Sequence, residues 1–147
     1  MDAMDLGVFG LNYLDDLKIP LDDYVIGASG AMVAHRLMDK NDDLDLLVKP
    51  DAMARLVSER KLKLVTKKSF SNVYLLSFTD KSGKIDANES MRFILSIPTD
   101  YWFEESVVIN GHRYSSIRAL KVQYELLYEK YHLPKHKIKV DILNRAI

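Results

Sequence analysis

The sequence contains no cysteine, which excludes disulfides and thiolate-bound zinc and fits a reducing compartment. It has no net charge either: 21 Lys and Arg side chains balance 21 Asp and Glu, so no overall field directs the chain to nucleic acid or to a membrane surface. No apolar run approaches the ~20 residues that cross a bilayer. The opening "MDAMDLGVFG" is acidic where a secretion signal begins basic. With only four prolines and six glycines the chain carries no flexible linker or low-complexity stretch, and no internal repeat is found. These absences predict a cytoplasmic protein without a membrane segment. What is present is 48% apolar and 29% charged residues in a chain of 147. Those are the proportions of one domain, residues 1–147, able to bury a core of its own.

Periodicity divides the chain into short elements. Residues 6–17 place apolar side chains at helical spacing, and Pro20, Asp22 and Asp23 separate them from a strand beginning at Tyr24. A glycine-containing turn follows, then a helix closing around Met38, a polar connection "KNDD" and an apolar run "LDLLV" at residues 44–48. Pro50 opens "PDAMARLVSERK" at a position where a first helical turn tolerates proline. The middle of the chain reads as antiparallel strands: "LKLVT", "NVYLLSFTD" and "KIDANES", the last two joined by the polar turn "KSG". Asn110-Gly111 within "VVINGHRYSS" is a strong hairpin signal, and two helices, Ile117–Tyr131 and Pro134–Ala146, complete the chain. The expected fold is α/β or α+β, a small mixed sheet flanked by helices with the C-terminal pair closing one side.

The chemistry begins at "YVIGASGAMVAHRLM", where a strand breaks on glycine and continues as a helix. Such a turn offers free backbone N–H groups at the positive end of a helix, an arrangement suited to phosphate. It resembles the phosphate loop of flavin- or dinucleotide-binding proteins, but two features argue against that reading. The acid that binds ribose there follows the second strand, whereas Asp43 and Asp45 come before and within "LDLLV"; the downstream chain also lacks strand–helix alternation.

"DDLDLLV" is better read as a site in itself. On a strand, Asp43 and Asp45 project to one face while Leu44, Leu46 and Val48 face the core. Two adjacent carboxylates repel each other unless a cation lies between them, and hard oxygen donors suit Mg²⁺, which typically takes one or two carboxylates plus substrate phosphates. Asp86, between Ile85 and Ala87, projects opposite to those two and supplies a third acid. Together these residues predict a nucleoside triphosphate resting on the turn at Gly27, Ala28 and Ser29. Asp43, Asp45 and Asp86 are the metal and catalytic candidates, with Asp86 beside an incoming hydroxyl.

In this order, "YVIGAS", a short helix, "DLDLLV", "KIDA", the hairpin "VINGHRYSS" and the paired C-terminal helices with "LPKHKIKVDIL", the chain resembles the minimal nucleotidyltransferases of the DNA polymerase β-like superfamily, especially those of the MNT and AbiEii type. The resemblance spans most of the chain. It implies Mg²⁺-dependent transfer of a nucleotidyl group from a nucleoside triphosphate to a hydroxyl of an acceptor that is a small molecule, an RNA or a protein. It also permits a catalytically silent form that binds a protein partner, for example in a toxin–antitoxin pair. The turn pair is either Gly27-Ala28 or Ser29-Gly30. A lysine often found in the family on the following C-terminal helix would fall near Tyr124, and the closest candidate, Lys121, is one turn earlier.

The remaining features have plainer readings. His35 shares the helix face of Met32 and reads as a packed or surface histidine rather than a ligand, since nothing nearby completes a metal trio. The basic stretches "RKLKLVTKK" and "KHKIKV" read first as solvated faces and second as contacts for an RNA or protein acceptor. Tyr101, Trp102 and Phe103 read as a cap on the core or as cover for a surface used by a partner, rather than as a platform for stacked bases.

Overall fold

The computed structural model describes residues 7–68, 74–91 and 93–146. Leu6, and Asn72 and Val73 at the start of the "NVYLLSFTD" run, lie outside them. The chain order is α1 (Leu11–Leu17), a 3-10 turn (Leu21–Asp23), β1 (Tyr24–Gly27), α2 (Ala28–Ala34), β2 (Leu44–Val48), α3 (Pro50–Ser58), β3 (Lys63–Lys68), β4 (Tyr74–Thr79), β5 (Ile85–Asn88), α4 (Thr99–Glu104), β6 (Ser106–Ile109), β7 (His112–Ser115), α5 (Ile117–Tyr131) and α6 (Pro134–Ala146).

The strands form one seven-stranded sheet in the order β3-β4-β5-β2-β1-β7-β6. β2 runs parallel to β5 and β1 parallel to β7, and the other neighbours are antiparallel. This mixed sheet flanked by helices is the α+β architecture that the sequence implies.

Local chemistry explains most boundaries. α3 starts on Pro50 with Asp51 in its first turn, where a missing N–H costs nothing and a carboxylate meets the positive helix end. α5 is capped by Ser116, whose Oγ accepts from the Ala119 N–H at 3.1 Å. It stops at His132, left-handed at φ 56°, so that Pro134 can open α6 back along it. The β6–β7 hairpin turns on Asn110 and Gly111, both at positive φ (50° and 86°).

Two helices depart from expectation. α2 ends at Ala34 rather than near Met38, because Arg36 turns left-handed at φ 63° and the Leu37 N–H closes back on the Met32 carbonyl at 2.9 Å. α4, at Thr99–Glu104, carries the Tyr101–Phe103 aromatics on a helix whose six residues are too few to show a period.

The core lies on both faces of the central strands. Leu44, Leu46 and Val48 are buried, as are Ile26, Ile85 and Ala87. On one face Gly30 of α2 approaches so closely that an added Cβ would sit 3.0 Å from Ile26 Cγ2 and 3.1 Å from Leu44 Cδ2. Gly30 is thus a packing glycine, and Gly27-Ala28 occupies the turn. On the other face α4, α5 and α6 stand over β1 and β2 and leave a cleft between helices and sheet. Among the described residues, no helix is long and apolar enough to cross a membrane.

Candidate functional site

The cleft measures about 640 Å³ and gathers residues from both ends of the chain. Gly27, Ala28, Asp43, Asp45 and Asp86 all line it, so five of the six residues proposed from sequence meet in one place. Ser29, half-buried in the first turn of α2, is not among the lining residues.

Strand pairing explains the convergence. In the antiparallel ladder Gly27 lies opposite Asp45, and in the parallel ladder Asp45 lies opposite Asp86. The turn and two carboxylates therefore occupy one row across three strands, with neighbours about 4.8 Å apart. Asp43 immediately precedes β2, and two bonds hold the backbone there. The Asn41 amide donates to the Asp43 carbonyl at 2.9 Å, and the next residue's N–H reaches the Lys84 carbonyl at 2.9 Å. Asn41 is buried and also clasps the backbone of Phe9, accepting from its N–H at 2.9 Å and donating to its carbonyl at 3.0 Å.

Asp86 is oriented by its neighbours. Its Oδ1 accepts a short hydrogen bond from the Ser77 hydroxyl and another from the Asn88 amide at 3.2 Å. Ser77 is completely buried on β4, so the carboxylate is aimed by a rigid group and stays on the cleft face, as the alternation of β5 predicts.

The opposite wall carries positive charge. Lys135, His136 and Lys139 lie on one side of α6 at spacing i, i+1, i+4 and line the cleft, while the outward Lys137 pairs with Asp141 at 2.9 Å. The stretch "KHKIKV" is thus split by the helix into a cleft-facing side and a solvated side. Lys139 places its Nζ 4.9 Å from the centre of the Tyr124 ring. Burial pushes Lys139 below the usual lysine range, Lys135 adds to the fall, and Asp45 opposes it. His136 is buried, and desolvation together with Lys135 and Lys139 lowers its pKa. Burial, aided by the negative charge of Asp45, raises Tyr124, so its hydroxyl keeps its proton. That hydroxyl is buried without a hydrogen-bond partner among the described residues.

Lys121, the sequence's candidate for a cation here, is absent from the lining; Tyr124 stands in the cleft and Lys139 of the neighbouring helix reaches over it. The i, i+1, i+4 spacing of "KHKIK" was the sequence signal for this wall. His35 lies outside the lining and its Nε2–H donates to the Ser115 carbonyl at 2.8 Å, the packed role expected of it.

Whether a metal fits is decided by the donors. Among the described residues, no three His, Cys, Asp or Glu side chains stand in a preformed metal site. The available donors, Asp43, Asp45, Asp86 and the Asn88 amide oxygen, are all hard oxygens, which match Mg²⁺ completed by ligand phosphates better than a self-sufficient cage. No family model matches the sequence, no curated protein matches it, and no solved structure matches the fold.

Proposed function

We propose that this protein is a nucleotidyltransferase that binds a nucleoside triphosphate in the cleft and passes its nucleotidyl group to an acceptor hydroxyl. The observation that carries this reading is the facing of two walls across one space: Asp43, Asp45 and Asp86 on the sheet, Lys135 and Lys139 on α6, with the Gly27-Ala28 turn at the edge. A triphosphate needs both walls. Its oxygens call for cations and N–H donors, and its reacting phosphorus calls for carboxylates able to share a hard metal ion. The volume of about 640 Å³ is in the range that holds a small-molecule ligand.

Gly27 adds an independent argument. Its φ of −115° is open to any residue, and a Cβ placed there would meet only Ser115 Oγ at 3.6 Å. The fold does not require glycine at this point, so the bare backbone is explained by what approaches it from the cleft. α2 has only seven residues and a weak dipole, which leaves Lys135 and Lys139 as the principal countercharge to phosphate.

In the transfer, the acceptor's hydroxyl oxygen bonds to the α-phosphorus, the bond from that phosphorus to the α–β bridging oxygen breaks, and pyrophosphate leaves with the electron pair. The hydroxyl proton passes to the Asp86 carboxylate, which Ser77 and Asn88 hold in place. Asp43 and Asp45 would hold Mg²⁺, which when bound supplies charge neutralisation at the phosphates. Tyr124, protonated, donates to a phosphate oxygen, and Lys139 offsets the charge of departing pyrophosphate.

A second reading, a catalytically silent protein that binds a partner, is favoured by one surface. Leu64 of β3 and Leu76 of β4 are 51% and 59% exposed and lie on one face of the outer hairpin. Melting curves with ATP, GTP, CTP and UTP, with and without Mg²⁺, separate the two, since a ligand of the folded state raises the melting temperature. A Mg²⁺-dependent rise with at least one triphosphate, followed by transfer of label to an acceptor pool from cell extract, supports the enzyme. No rise and no transfer supports the partner-binding protein.

A further inference from the structure

We propose that Trp102 forms the end of the cleft that receives the nucleobase, its indole N–H donating to an acceptor atom in the plane of the base. This rests on the nucleotide reading of the cleft and adds to it the residue that recognises the ring.

Three observations converge on Trp102. It lines the cleft with its side chain 1% exposed, and its Nε1 is buried with no hydrogen-bond partner among the described residues. An indole N–H can only donate, so the group that satisfies it must present an acceptor. Most of the other buried side chains that line the cleft, among them Val25, Leu46, Leu47, Ile94 and Leu127, are hydrocarbon. A largely apolar wall with a donor that has no protein partner suits a flat ring that carries an acceptor atom at its edge.

The strand geometry sets the ring at the right distance from the phosphates. Val25 lies opposite Leu47, just as Gly27 lies opposite Asp45, and each pair is two residues from the other on β1 and β2. Two residues along a strand return to the same face after about 7 Å. The apolar end is therefore one step along the same strands from the phosphate turn and the carboxylates, the span that a ribose covers between phosphate and base. α4 packs on β1, and its Trp102 lines the cleft together with Val25 of that strand.

Trp102 is the sole tryptophan of the chain, so one ¹H–¹⁵N indole signal reports on it without any substitution. The wild-type protein, with Mg²⁺, is titrated with each of the four nucleoside triphosphates and separately with inorganic tripolyphosphate, and binding is followed in parallel by calorimetry. The expected result is a downfield shift of the indole signal with a triphosphate that binds and none with tripolyphosphate. Trp102→Phe, which keeps an aromatic ring there and removes the donor, should weaken that triphosphate by about tenfold and leave tripolyphosphate unchanged. An indole signal that stays in place while a nucleoside triphosphate binds overturns the proposal and leaves the nucleotide reading standing. A signal moved by free nucleosides but by no triphosphate also overturns it, and assigns the ring to the acceptor. If neither triphosphates nor tripolyphosphate bind and nucleosides leave the signal unmoved, both readings fail together.

Discussion

The two walls of the cleft are built by different rules. On the sheet side, Asp45 and Asp86 are placed by strand register, and every position depends on hydrogen bonds between backbones that side-chain substitutions leave intact. On the helix side, Lys135, His136 and Lys139 are placed by a helical repeat and by the packing of α6 on α5, so their charge is carried by long stems leaning into a half-buried space. Charge on either wall can therefore be altered with little cost to the fold. Like charges gather on each wall, and on the helix wall burial and the neighbouring Lys135 work against the charge of Lys139, a cost that an anionic ligand would offset.

The sharpest way to break the comparison is to change the carboxylates one at a time. Asp86→Asn keeps the shape and loses the charge; transfer should fall by about 10² or more while binding of Mg²⁺-triphosphate stays within a few-fold. Asp43→Ala and Asp45→Ala should remain folded and lose the Mg²⁺-dependent part of the thermal shift, because they remove the donors that hold the ion. Unchanged binding in either alanine variant would take that residue out of the metal site.

Lys139→Met tests the other wall. Losing a charge-assisted contact should weaken inorganic tripolyphosphate, measured by calorimetry, by about tenfold or more. The same change should raise the melting temperature of the ligand-free protein, since burial already works against the charge of Lys139. A melting temperature that falls instead would mean that the lysine is held for the fold rather than for a ligand.

Gly27→Val probes the edge shared by both walls. Triphosphate affinity should drop by about tenfold or more from blocked access to the backbone, while Gly27→Ala should leave stability nearly unchanged, because the nearest atom to an added Cβ is 3.6 Å away.

His136 links the helix wall to pH. Its folded-state pKa is lowered, so below its ordinary value near 6.5 the unfolded chain binds more protons than the folded one. Stability is therefore full above that value and declines as pH falls through it toward the folded pKa. Chemical denaturation at pH 7 and at pH 5.5 should show this loss, and His136→Gln should lessen it. The smallest effect is expected at Ala28, which holds a left-handed φ of 49°. Ala28→Gly should relieve about 1 kcal/mol of backbone strain, partly offset by the greater freedom of glycine when unfolded, and raise the melting temperature slightly.

The sequence by itself determined the parts of this protein that depend on neighbours in the chain. The period-2 pattern of "LDLLV" and "KIDA" set which acids leave the core. Asn110-Gly111 specified its hairpin through left-handed backbone, and Pro50 and Pro134 marked helix starts where a missing N–H costs nothing. Tertiary structure decided the rest. Which glycine turns and which packs could not be read from "GASG", because Gly30 is required only by the approach of Ile26 and Leu44. That Asp45 meets Asp86 depends on a parallel pairing between strands about 40 residues apart, which no local pattern encodes. Lys139 over Tyr124, the Asn41 clasp on Asp43 and the Ser77 bond to Asp86 arise the same way. The physical reason is that periodicity fixes the face a side chain occupies, whereas its partner is chosen by which elements can bury their apolar faces against one another.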